Sequence, residues 1–181
     1  MEQTNIRTST QNLVMSAMLL AVGLVLPFFT GQIPRIGNML LPMHLPVLVC
    51  GLVCGWQYGG VIGCLLPIIR YVLFGMPPMP NGLAMAFEMA AYGIVAGFLY
   101  NRSRWKCIVA LYRSLFAAML CGRLVWAVVR ILMMGFINEP FTWQMFLAGA
   151  CVNAVPGIIL QLIFIPALMI ALDRTGVVRF H

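Results

Sequence analysis

Few side chains in this sequence are equipped for polar chemistry, and the most informative of them lie in the stretch RLVWAVVR, residues 123–130. Seven residues at 100° each return to within about 20° of the start, so on a helix Arg123 and Arg130 share one stripe, with Trp126 about 60° away. Arginine presents a planar fork of donors suited to a carboxylate or phosphate, and tryptophan supplies an apolar wall. The other polar side chains embedded in apolar sequence are His44, Arg70, Glu88, Asn153 and Gln161. Arg70, Arg123 and Arg130 meet one acid in this set, Glu88, which can neutralise one of them and leaves positive charge in excess. Such a group fits capture of a small anionic or strongly polar organic ligand. A structural network, with the arginines bonded to helix carbonyls and Glu88, is the other reading of the same residues.

The elements that must position these groups follow from composition. Of 181 residues, 62% are hydrophobic and 8% charged, too little charge to cover a soluble domain of this length. The expectation is an all-α, polytopic membrane protein forming one domain over residues 1–181, a six-transmembrane-helix bundle in the cell membrane. The apolar segments fall at about 13–29, 40–55, 57–75, 83–100, 107–135 and 146–172. The second is short and opens with Pro42 and Pro46, whereas the last two exceed a bilayer's needs and are expected to tilt or protrude. The first run has one basic residue ahead of it, Arg7, and no small-residue cleavage site after it, so it reads as a retained helix rather than a signal peptide. The net charge of +7 comes from dispersed bases beside membrane segments, which points to lipid headgroups and topology and away from nucleic acid. The six cysteines have no CxxC spacing and lie mostly in apolar runs, where cysteine behaves as a small hydrophobe.

Charge asymmetry orients the bundle. Six spans place both termini and the 2–3 and 4–5 connections on one side, and that side receives Arg7, Arg102, Arg104, Lys106, Arg174 and Arg179. The opposite loops carry Arg35 and Glu139, so the positive-inside rule gives an N-in/C-in topology. Asn101-Arg102-Ser103 matches a glycosylation sequon but falls on the cytoplasmic side and is discarded. At about 1.5 Å per residue, His44 is expected near the outer start of span two, Arg70, Glu88 and Arg130 about 8 Å deep, Asn153 about 10 Å and Arg123 about 18 Å. Polar groups from five spans thus gather in the outer half above a nearly apolar inner half, as in an outward-facing capture pocket and unlike a pore.

Two outer connections could act as lids: TGQIPRIGN after span one, and GMPPMPNG at 75–82, where prolines fix φ between glycines; the second could equally be a tight connector. Ala17-Met18-Leu19-Leu20-Ala21 is a small-xxx-small pattern that lets another helix approach closely, and Gly51, Gly55, Gly59 and Gly63 form a ladder suited to tight packing across the 2–3 turn. No GxxxxGK[ST], HExxH or GxSxG occurs, so neither P-loop ATP hydrolysis nor a familiar catalytic constellation is supported, and no cofactor is expected. Met39, Met43 and His44, with Met76 and Met79, have soft-ligand character, yet 14 methionines in the chain make a copper site the weaker reading and no metal is expected.

With Ala17-xxx-Ala21 in the first span, and MHLPVLVCGLVCGWQYGGVIG (43–63) carrying a His-x-Pro-Val segment followed by a Gly-rich second-to-third span, the whole chain resembles an S-component, the substrate-capturing subunit of energy-coupling factor (ECF) vitamin transporters. The likeness is to members of the pantothenate/hydroxymethylpyrimidine-like group. It implies high-affinity binding of a vitamin near the outer face, under the 1–2, 3–4 and 5–6 loops. It also implies docking through the first helices, with Ala17 and Ala21 at the interface, on a transmembrane coupling subunit driven by two ATPase subunits, and toppling of the S-component to carry its cargo inward. Nickel and cobalt members use an N-terminal Met-His, whereas this chain begins Met1-Glu2-Gln3, which weighs against a metal cargo. The arginine excess favours a carboxylate vitamin such as pantothenate, held by Arg123, Arg130, Trp126, Glu88, Arg70, Asn153 and His44. A pyrimidine or other aromatic vitamin would instead use Trp126 and Glu88. The alternative function is a self-sufficient secondary transporter of a small polar or anionic solute, which should show inverted repeats or polar residues on both sides of mid-membrane; neither is found.

Overall fold

Long apolar runs that enter lipid must satisfy their backbone groups internally, and the helix does this within one segment. The computed structural model describes residues 9–30, 42–75, 77, 81–103, 107–137 and 155–174. These form six helices: α1 (Ser9–Thr30), α2 (His44–Cys54), α3 (Trp56–Phe74), α4 (Asn81–Arg102), α5 (Ile108–Ile137) and α6 (Val155–Arg174). Each overlaps one of the six apolar segments read from the sequence. The prospective lid 1–2 connection lies outside the described residues, as do half of 75–82 and residues 146–154 that were expected to open the sixth span.

Five of these helices are long and apolar enough to cross a membrane, and α2 is the shorter one. Its 11 residues rise only about 17 Å, little more than half of a hydrocarbon core of about 30 Å. Ten of the 11 are buried, as befits a helix apolar all round. It packs against α1, α3, α4 and α6 and is the hub of the bundle. α1, by contrast, packs among the described helices chiefly on α2 and α3. It leaves Leu13, Met18 and Phe29 exposed, a surface whose chemistry suits lipid.

The glycine ladder explains how α2 can sit so deep. Gly55 alone joins α2 to α3, with φ 106° and ψ 163°, backbone that side-chain-bearing residues rarely adopt. The chain reverses there, and Gly51 of α2 and Gly59 of α3 meet the backbone of α4. A Cβ on Gly59 would lie 2.5 Å from the Gly51 Cα and 2.9 Å from the Gly93 carbonyl oxygen, while one on Gly93 would run into the Gly59 backbone. Three helices therefore cross backbone to backbone, the close approach that small residues permit. Around the crossing, Leu48, Leu52, Tyr92, Leu115, Ile165 and Met169 build one cluster and Val47, Cys50, Cys54, Leu66 and Met89 another. Cys50 and Cys54 act here as small core hydrophobes, in keeping with the sequence reading.

Candidate functional site

The crossing sets the register of α2, α3 and α4, and one to two turns above it three ionisable side chains converge. His44 opens α2, Glu88 lies in the second turn of α4, and Arg123 is midway along α5. Glu88 Oε1 is 3.2 Å from Arg123 Nη1 and 3.9 Å from His44 Nε2. His44 is 1% and Glu88 2% exposed, so both have left solvent, and at such depth an uncompensated charge is costly.

Tyr92, one turn below Glu88, completes the floor. Its ring meets His44 edge-to-face with centroids 5.1 Å apart and an interplanar angle of 78°. On its α5 side the ring lies against Gly122, where a Cβ would sit 3.0 Å from a ring carbon. The residue preceding Arg123 must therefore be small for α4 and α5 to approach closely. Among the described residues, Arg123 Nε and Nη2 are shielded from solvent and have no hydrogen-bond partner, although Nη1 faces Glu88.

Trp126 and Arg130 continue the same side of α5, about 4.5 Å and 10 Å above Arg123 along the axis. The Arg130 guanidinium stands over the Trp126 ring at 5.9 Å from its centroid, and both side chains are half-buried. The stripe expected from RLVWAVVR is present, divided into a lower cation paired with Glu88 and a stacked upper one.

Depths differ from the simple count along each span. The ion pair puts Arg123 and Glu88 at one level, although separate counts gave about 18 Å and 8 Å. The 30-residue α5 accounts for this: it continues about 21 Å above Arg123, whereas α4 begins about 10 Å above Glu88, so α5 overshoots. His44 shares that level rather than the outer surface, because short α2 starts deep.

Arg70 is engaged elsewhere. Its Nη1 donates to the Leu24 carbonyl of α1 at 3.2 Å, and its guanidinium lies 5.4 Å from the Phe28 ring centroid and 5.9 Å from that of Phe74. Pro27 lies within α1 just beyond Leu24, and Arg70 fastens that end of the helix to α3. This is the carbonyl-bonded arrangement weighed against ligand contact. Asn153 lies outside the described residues. Gln161 is buried on α6, and two buried serines bond their own helices, Ser16 to the Leu13 carbonyl and Ser114 to that of Leu111. Ala17 and Ala21 lie on the exposed stripe of α1, one turn apart.

Sequence reasoning did not single out Tyr92 or Gly122. The signals were present: Tyr92 follows Glu88 by four residues, which puts both on one helix face, and Gly122 adjoins the deepest arginine.

The family model for the ECF transporter substrate-specific component matches residues 11–169. The chain belongs to that family. The match runs from α1 into α6 and so takes in every helix that contributes to the His44–Glu88–Arg123 floor. No curated protein matches the chain, and neither does any solved structure. As an ECF S-component it is a multi-pass membrane protein and a transporter component rather than an enzyme, one that works with a small-molecule substrate and an ECF module.

Proposed function

We propose that this S-component captures a small anionic organic nutrient on the outer side of an N-in/C-in bundle, with pantothenate the leading candidate. It delivers that cargo through a separate transmembrane coupling subunit and two ATPase subunits. The observation that carries the reading is the charge balance on α5. Arg123 shares Glu88 with His44, and Arg130, one stripe above, has no carboxylate within ion-pair distance among the described residues. Two cations against one acid in a low-dielectric setting favour a ligand that brings negative charge.

In this reading Arg123 and Arg130 hold the anion and Trp126 walls it. Glu88 and His44 fix the floor, and Asn153 contributes from the start of the sixth span. Ala17 and Ala21 support a docking role because their small side chains are exposed on a stripe of α1 among the described residues.

Mass spectrometry of small molecules released from the purified, denatured protein tests the proposal. A carboxylate of vitamin size, near one per protein, is the expected result. A neutral or cationic nutrient in that place would overturn the anionic assignment.

A further inference from the structure

We infer that the ligand enters carboxylate-first and that Arg123 receives that carboxylate side-on through Nε and Nη2, with Glu88 acting from the Nη1 side as a positioning residue. The inference rests on the capture reading above and narrows it to a substrate class and an orientation.

A guanidinium offers a planar two-oxygen acceptor two useful edges, one formed by Nη1 and Nη2 and one by Nε and Nη2. Here Glu88 Oε1 stands 3.2 Å from Nη1, an ion-pair contact on the side of the first edge. The two donors left over, Nε and Nη2, are the pair that forms the second edge. Both are shielded from solvent, and neither meets hydrogen-bond geometry with a described residue, the nearby Tyr92 hydroxyl included. Buried donors of a charged group are costly to leave unmatched, and a single carboxylate would match both at once. A neutral hydroxyl or ring nitrogen would offer that edge one uncharged acceptor atom, a weaker match than two charged oxygens in parallel.

The surroundings fix this edge in place. The Tyr92 ring fills the space at Gly122, beside Arg123, and braces His44, which in turn flanks Glu88. Above the fork, Trp126 stands about 4.5 Å higher and Arg130 about 10 Å higher. An elongated ligand with its carboxylate at the floor would run along the indole and present its far, polar end to Arg130. That orientation also explains two arginines a heptad apart: the lower one binds the carboxylate and the upper one receives the distal end.

The test measures binding to purified protein in nanodiscs by isothermal titration, using vitamin-sized acids paired with neutral counterparts: pantothenate with panthenol, biotin with biotinamide, and nicotinate with nicotinamide. Hydroxymethylpyrimidine serves as a neutral aromatic probe. The expected result is that one acid binds and its neutral partner binds at least about 30-fold more weakly, the penalty for leaving a buried charged donor pair unmatched. Arg123→Lys keeps the charge but not the fork, and should erase most of that ratio. Arg130→Lys should preserve it. Glu88→Ala should lower the acid-to-neutral ratio, and Glu88→Gln, which keeps an acceptor beside Nη1, should restore it; a merely structural Glu88 would move stability and leave the ratio alone. Equal affinity for an acid and its neutral partner overturns the inference, and that wild-type comparison stands whether or not any variant folds. If hydroxymethylpyrimidine outcompetes every acid, the carboxylate orientation falls while capture stands. If no probe of either class binds, the capture reading fails with it.

Discussion

Replacing Gly93 by alanine adds one methyl group at the point where α2, α3 and α4 cross. Its Cβ would overlap the Gly59 carbonyl and lie 2.9 Å from the Gly59 Cα, backbone that cannot rotate aside. Ordinary carbon contacts need about 3.5–4.0 Å, so α3 and α4 must separate by roughly 1 Å. Overpacking of this kind costs about 1–3 kcal/mol, occasionally more. For a chain of this size each kcal/mol moves the midpoint by about 2–4 °C, so a drop of about 2–12 °C is expected. The displacement would also propagate upward, because Gly93 lies about 8 Å below Glu88 along α4 and Gly51 about 10 Å below His44 along α2. Ligand affinity should therefore fall together with stability. Fluorescence-detected size-exclusion after heating measures the first, and ligand titration the second. Gly135 on α5 is the control: a Cβ there meets nothing within 4 Å, and alanine should be neutral or stabilise by up to about 1 kcal/mol through helix propensity. A Gly93→Ala protein as stable as wild type, or a Gly135→Ala protein that loses as much, would refute the backbone crossing as the feature that seats the site.

Arg70→Ala should lower the thermal midpoint through loss of the Leu24 hydrogen bond and two ring contacts, a total of about 1–3 kcal/mol, and leave ligand affinity within about threefold of wild type; a loss of binding in a stable protein would return Arg70 to the ligand site. Glu88→Ala should destabilise by about 3–5 kcal/mol because Arg123 is left as an uncompensated charge, and a Glu88→Ala, Arg123→Met double variant should recover part of that; a double variant no better than Glu88→Ala, in a double-mutant cycle of thermal midpoints, would contradict the pairing. Ala17→Trp with Ala21→Trp should abolish uptake in cells that hold the coupling module while binding to the isolated subunit persists. Normal transport by that variant would remove the docking role.

Most of the architecture was legible because lipid simplifies the problem: an apolar run of sufficient length must be a helix, and six such runs gave six helices. The exception is instructive. Residues 40–55 are apolar enough for a span, but hydropathy cannot distinguish a helix bathed in lipid from one enclosed by protein, and α2 is the second kind. Its glycines held the clue, since Gly51, Gly55 and Gly59 serve a turn and a crossing rather than a lipid-facing surface. The heptad spacing put Arg123, Trp126 and Arg130 on one side of a helix, and they share α5, where Arg130 stands over Trp126, because helical phase depends on spacing alone. Depth was harder, since it depends on where each helix begins relative to its neighbours, and the overshoot of α5 became visible only through the Arg123–Glu88 contact. Arg70 shows the same limit laterally: residue type and depth resembled those of the other arginines, but its partners lie across the α1–α3 contact.

The most direct test of the account is ligand binding by Arg123→Ala compared with wild type, using the small molecule identified by mass spectrometry and protein that elutes as a folded, monodisperse species. The account predicts a loss of affinity of at least about 30-fold, with Arg130→Ala also impaired. Unchanged affinity in a folded Arg123→Ala protein would contradict it and leave that arginine as a structural partner of Glu88 alone.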